Sequence, residues 1–108
     1  MRQELASVTD HINTMLARLE QGDRPDGARL EATLTDGYAY ALSLDAECAR
    51  LERRISEHAA GLGVDGGLEQ ARELSALARL LARRRAELDG LRDLLAVLRA
   101  GVREAQVA

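Results

Sequence analysis

Leu74, Leu81, Leu88, Leu95 and Val102 recur every seven residues, and Leu77, Leu91, Leu98 and Ala105 form a second apolar column that Arg84 interrupts once. Apolar residues at the a and d positions of a heptad give a helix whose stripe stays aimed at a partner helix. A first helix is predicted over about residues 2–21, where Leu5, Val8, Ile12, Met15 and Leu19 alternate at spacings of three and four and Leu16 widens the stripe. The stretch from Gln21 to Gly27 reads as a turn: Gly22 suits the left-handed position past a helix end, Pro25 stops the helix, and Asp26 can cap the next one. A longer second helix follows over about 27–60, with its seam at Leu30, Leu34, Gly37, Ala41, Leu44, Cys48, Leu51, Ile55, His58 and Leu62. Asp36-Gly37 is its weak point, since Asp-Gly favours a turn and Gly costs about 1 kcal/mol against Ala in a helix. The heptad phase passes through without a slip, which favours helix with a possible kink. Gly61, Gly63, Gly66 and Gly67 predict the second turn, and the third helix is expected over about 68–105.

At about 1.5 Å per residue the two longer helices span about 50–57 Å each, and the short turn makes them antiparallel neighbours. A turn centred near residue 64 pairs Leu51 with Leu77, Cys48 with Leu81, Ala41 with Leu88, Gly37 with Leu91 and Leu34 with Leu95. That register sets Asp45 beside Arg85, Glu31 beside Arg99 and Arg54 beside Glu73, with Tyr38 beside Arg92. Exposed pairs of this kind contribute a few tenths to about 1 kcal/mol, enough to align the helices but not to hold them. The first helix, about 30 Å long, folds back with Ile12 near Gly37, Val8 near Ala41, Met15 near Leu34 and Leu19 near Leu30. It covers only the lower part of the hairpin, so the remainder is expected to project as two helices. The predicted fold is therefore all-α: a three-helix antiparallel bundle on a long coiled-coil hairpin, a single helical domain over residues 1–108, oligomeric through its uncovered part.

Composition sharpens this picture. The 108 residues are 46% hydrophobic and 2% aromatic, with no Phe or Trp and one Pro, which suits helices and disfavours a β-sandwich or barrel. The net charge of −3 argues against a general nucleic-acid or anionic-membrane binder, both of which need a basic surface. One cysteine excludes an internal disulfide and a multi-cysteine metal site. The first fifteen residues include Glu4, Asp10 and His11 and no apolar run, and no window reaches eighteen apolar residues. Neither a signal peptide nor a membrane span is expected, and the reading is cytoplasmic.

Candidate chemistry is sparse. His11 and His58 have no second ligand at metal-site spacing on a matching face, and His58 reads as a polar residue finishing the seam. Cys48 falls at a seam position, where a small buried thiol fits better than a reactive one. Arg79 and Arg83-Arg84-Arg85 form the densest basic cluster. It lacks aromatic stacking partners and is followed at once by Glu87 and Asp89, unlike a nucleic-acid patch. Arg84 is the one polar d residue of its helix, a device that fixes register or oligomer state, with Asp45, Glu47 or a partner chain as acceptor. On that view, replacing Arg84 by Leu raises thermal stability and loosens the oligomer. Tyr40, Leu80 and Leu94 share the g flank beside the seam, and with Arg84 they are the candidate interaction residues. No phosphate-binding loop, catalytic triad or Glu-x-x-His arrangement occurs.

The expectation is a non-enzymatic coiled-coil protein, without cofactor or metal, acting by protein–protein interaction as an adaptor, scaffold or assembly factor. Its predicted partner is itself, as a homodimer, or another protein; nucleic acid, membrane and small-molecule substrates are not expected. One alternative is a chaperone-like binder of an amphipathic helix, which needs the Tyr40, Leu80 and Leu94 flank exposed. A second is a hairpin that inserts into a larger machine, for which the tip offers only Asp65 and Glu69.

Overall fold

The computed structural model describes the backbone of residues 2–65 and 67–107 and the side chains of residues 4–61 and 67–104. Among the described residues three helices account for 93%, α1 (Arg2–Glu20), α2 (Gly27–Asp65) and α3 (Leu68–Val107), and there is no strand. The fold is all-α. No helix among the described residues is long and apolar enough to cross a membrane.

The first turn follows from its local chemistry. Gly22 adopts φ 80°, in the left-handed region open to a residue without a Cβ. Its N–H donates to Leu19 O at 3.1 Å and that of Asp23 donates to Arg18 O at 2.9 Å, the paired bonds of a Schellman ending. Asp26 then starts α2: its Oδ1 accepts from Ala28 N at 3.2 Å while its carbonyl accepts from Leu30 N at 3.0 Å. That is N-capping by an aspartate, which satisfies a backbone donor that has no partner within the helix. Pro25 is buried between the two helix ends.

α2 passes through Asp36-Gly37 as continuous helix. Gly37 is buried, and a Cβ built there would overlap Cδ2 of Leu95, itself 1% exposed. This glycine allows a close approach between helices rather than a bend.

Residue contacts divide the chain into two compact units: residues 1–42 with 89–108, and residues 43–88. The first unit holds all of α1 with one stretch each of α2 and α3. Its buried apolar residues are Ile12, Met15, Leu30, Ala41, Leu91, Leu95 and Leu98. α1 meets α3 where Leu19 Cδ1 lies 3.3 Å from the position a Cβ would take on Gly101. The second unit contains one stretch of α2 and one of α3. Cys48, Leu51, Leu77 and Leu81 form its core cluster, with Ile55 and Leu80 packed against it and half-buried.

Within each unit the α2 and α3 stretches are antiparallel, but their register differs from the expected one. In the first unit Gly37 faces Leu95 instead of Leu91, and Arg99 Nη1 donates to Tyr38 Oη at 3.3 Å where Arg92 was expected. In the second, Arg85 pairs with Glu52, and Glu73 lies 3.8 Å from His58 Nδ1 in a hollow that Arg54 also lines. The shift is one or two helical turns. Its cause is the end of α2, which runs on through Gly61 to Asp65, past the expected end near Ala60. A glycine weakens a helix by only about 1 kcal/mol and does not by itself end one. The turn therefore centres beyond Asp65 rather than near residue 64. The side chains of Leu62 and Ala105, assigned to the seam, and of Asp65 at the tip lie outside the described residues.

Gly37 and Gly90 offer a direct contrast. A methyl group at Gly37 displaces buried Leu95, and overpacking of about 1–3 kcal/mol outweighs the helix-propensity gain of about 1. Gly90 has nothing within 4 Å of a built Cβ. In denaturant titrations Gly37→Ala should lose about 1–2 kcal/mol and Gly90→Ala should gain about 0.5–1. A gain from both would show that Leu95 has room to move.

Candidate interaction surface

Arg84 points into the second unit from a seam position of α3, with its side chain 13% exposed. A guanidinium cannot shed its charge, so partial burial requires acceptors. Nε donates to Glu47 Oε1 at 3.0 Å across to α2. Nη1 donates to Glu87 Oε1 at 3.1 Å and Oε2 at 3.3 Å, one turn along α3. Glu47 and Glu87 are 17% and 26% exposed, and Glu47 Oε2 is buried without a hydrogen-bond partner. The cluster thus sets two carboxylates around one guanidinium. Glu47 was among the acceptors proposed from sequence; Glu87 was overlooked, although its i,i+3 spacing from Arg84 is a legible signal.

The other candidate residues divide between the units. Leu80 is half-buried against the second unit's core cluster. Tyr40 and Leu94 belong to the first unit and are also half-buried. Sequence reasoning passed over three exposed apolar side chains: Leu42 at 71%, Leu68 at 69% and Val97 at 55%. Val97 lines a shallow groove between α1 and α3 with Leu16, Leu19, Ala100 and Gly101, and Glu20 and Glu104 stand at its edge. The signal was present: Val97 lies three residues from Leu94 and four from Gly101, on the face of α3 that meets α1.

Of the groups with chemical potential, Cys48 is packed in the core and His58 lies beside a carboxylate. Cys48 is 4% exposed within the core cluster. Burial pushes its thiol above the ordinary range; nearby Arg85 opposes this, while Asp45, Glu47 and Glu52 add to it. His58 Nδ1 lies 3.8 Å from Glu73 Oε2, an ion pair whenever the imidazole is protonated. His11 is exposed. Among the described residues no group of three or more His, Cys, Asp or Glu side chains could hold a metal ion.

Comparison of the chain with protein-family models, with curated proteins and with solved structures found no match.

The geometry of Arg84 reverses one expectation. Arg84→Leu alone strands Glu47 and Glu87 without their cation, so it should cost about 1–3 kcal/mol instead of stabilising. Replacing the pair together, as Arg84→Leu with Glu47→Met, should recover that loss and raise the thermal midpoint above the parent's. A single Arg84→Leu variant that melts higher than the parent would refute this account.

For Cys48 the folded thiol keeps its proton at pH values where the unfolded thiol has lost it. Its contribution to stability is therefore complete below the ordinary thiol range and declines as pH rises through it. Denaturant midpoints measured from pH 7 to pH 10 should fall less steeply in Cys48→Ser than in the parent. The folded parent should also react slowly with a thiol reagent until denaturant is added; equal rates in both states would contradict burial.

Proposed function

We propose that this protein is a non-enzymatic coiled-coil protein of the cytoplasm that acts through protein–protein contact and associates with itself as a homodimer. The observation that carries the reading is that the second unit is built from two helical stretches where the first has three. There Leu44, Cys48, Leu51, Leu77, Leu81 and Leu88 are buried between two stretches, Ile55 and Leu80 remain half-buried, and the Arg84–Glu47–Glu87 cluster interrupts the apolar seam. A fully buried Leu or Ile contributes about 1.5–3 kcal/mol, and a two-helix segment realises only part of it. Further apolar surface from a second chain supplies the rest. A half-buried ionic cluster on a helix seam suits the same role, since such groups select among packing arrangements at a cost in stability. Engagement of Cys48, His58 and Arg84 in packing and pairing supports the absence of a catalytic role.

A client-helix chaperone is supported less well, because Tyr40, Leu80 and Leu94 are all half-buried rather than open. Sedimentation equilibrium from micromolar to millimolar protein tests the proposal. A concentration-dependent shift from monomer to dimer mass is expected, and a constant monomer mass across that range would overturn it.

A further inference from the structure

On α3, Glu73, Ala76, Leu80, Arg83 and Glu87 follow one another at spacings of three and four, so they form one stripe along the helix. In the second unit this stripe is accessible in part: Glu73, Ala76 and Arg83 are exposed, and Leu80 and Glu87 are half-buried. Shallow hollows lie on both sides of Ala76, one lined with Arg79, Ala82 and Arg83, the other with Arg54, His58, Glu73 and Leu77. The same three-and-four spacing continues along α3 to Leu94, Val97 and Gly101, and within the first unit those last two positions line the groove against Leu16 and Leu19 of α1. The physical requirement of the stripe, a helix laid along it, is thus met inside the first unit by α1. No described element of the second unit meets it.

We infer that the stripe from Glu73 to Glu87 is the homodimer interface, packed antiparallel against the same stripe of a second copy; this rests on the self-association proposed above. Size and charge fix both the occupant and the register. A two-fold axis makes each contact occur twice, so the surface must complement itself. Setting Leu80 over the partner's Ala76 places a large side chain on the smallest position of the stripe. The same register sets Arg83 beside the partner's Glu73, opposite in sign, and repeats both contacts across the axis. That register also brings Glu87 near the partner's exposed Glu69, a like-sign contact that the two Arg83–Glu73 pairs offset. Alignment of Leu80 on the partner's Leu80 instead brings Glu87 against the partner's Glu73, with no opposite-sign pair within the stripe to offset it. Glu73 can serve because its present partner is His58 at 3.8 Å, an exposed and loose pairing.

Charge reversal in the full-length chain tests this inference, read by sedimentation equilibrium with helicity followed by circular dichroism. Arg83→Glu alone and Glu73→Arg alone each create two like-sign contacts per dimer, and each should weaken dimerisation about tenfold at low salt. Mixing the two variants should restore parental affinity, because the heterodimer then has opposite charges at both contacts. Ala76→Glu, at an exposed helical position, should abolish the dimer while leaving helicity intact. A dimer whose affinity is unchanged in all these variants would overturn this interface and leave self-association standing through another surface. A chain that is monomeric throughout would overturn both.

Discussion

The constraint on which the structure depends is the unequal length of its helices. α2 and α3 carry apolar columns through 39 and 40 residues, and α1 has 19 residues with which to cover them. An apolar stripe on a helix must be buried against something, since intrinsic propensity alone does not hold a helix of this kind in water. The first unit resolves the demand with three helical stretches, and its residues Ile12, Leu91, Leu95 and Leu98 are all at most 2% exposed. The second unit has two stretches, which bury Leu44 at 1% and Cys48, Leu51 and Leu88 at 4% and leave Leu77 and Leu81 at 9% and 7%. Core residues of both units reach 7–9% exposure, and beside the second unit's core Leu80 and Ile55 are half-buried.

The second unit carries an ionic cluster on its seam. An arginine in the middle of a deep seam would suffer a desolvation penalty of several kcal/mol. At 13% exposure, with two carboxylates in reach, Arg84 avoids most of that penalty and still constrains which residues stand opposite it. Glu47 on α2 answers it directly, so a slide of α3 along α2 by one turn would break a 3.0 Å hydrogen bond and strand both charges. The surface pairs do less individually, yet Glu52 with Arg85 and Tyr38 with Arg99 bias the same alignment. Leucine seams are permissive about register because one leucine resembles the next; the polar contacts supply what the seam lacks.

The parts of this fold that were legible in the sequence are those fixed by local chemistry. Gly22 and Asp26 act where their own neighbours determine the outcome, through a left-handed turn and an aspartate cap, and the heptads of α2 and α3 declare which face is buried. Register was not legible, because it depends on where α2 stops. The glycines from Gly61 onward looked like the end of a helix, whereas α2 spans Gly61 and ends at Asp65. A glycine tolerates both outcomes at a cost of about 1 kcal/mol, so the choice belongs to packing elsewhere. The charge pairs expected from a turn near residue 64 do not select that register, because acidic and arginine residues recur on the flanks often enough that neighbouring registers also bring opposite charges together. For the site, Arg84 stood out as a break in an apolar column, and Glu47 was within reach of the reading. Exposed Val97 and Leu42 did not stand out, since a heptad reading attends to the seam and discounts apolar residues away from it.

The absence of Phe and Trp gives the remaining specificity a particular form. Tyr38 and Tyr40 are its only aromatic residues and neither is among its buried ones, so discrimination within the core comes from aliphatic side chains and from the small side. Gly37 receives Leu95, and Gly101 receives Leu19, each a leucine set where a Cβ would crowd it. These two contacts place α2 and α1 on α3 at separate points of the first unit, and they explain why glycines persist inside helices that would otherwise be stronger with alanine. Close packing makes such pairings selective, because a leucine facing another leucine cannot approach as near, while a glycine facing nothing forfeits dispersion contacts. Gly90 has no such neighbour, and it marks the place on α3 where no packing reason for a glycine is evident. The chain therefore specifies its internal fit through missing side chains, and through Arg84 as the one charge admitted to the α3 seam.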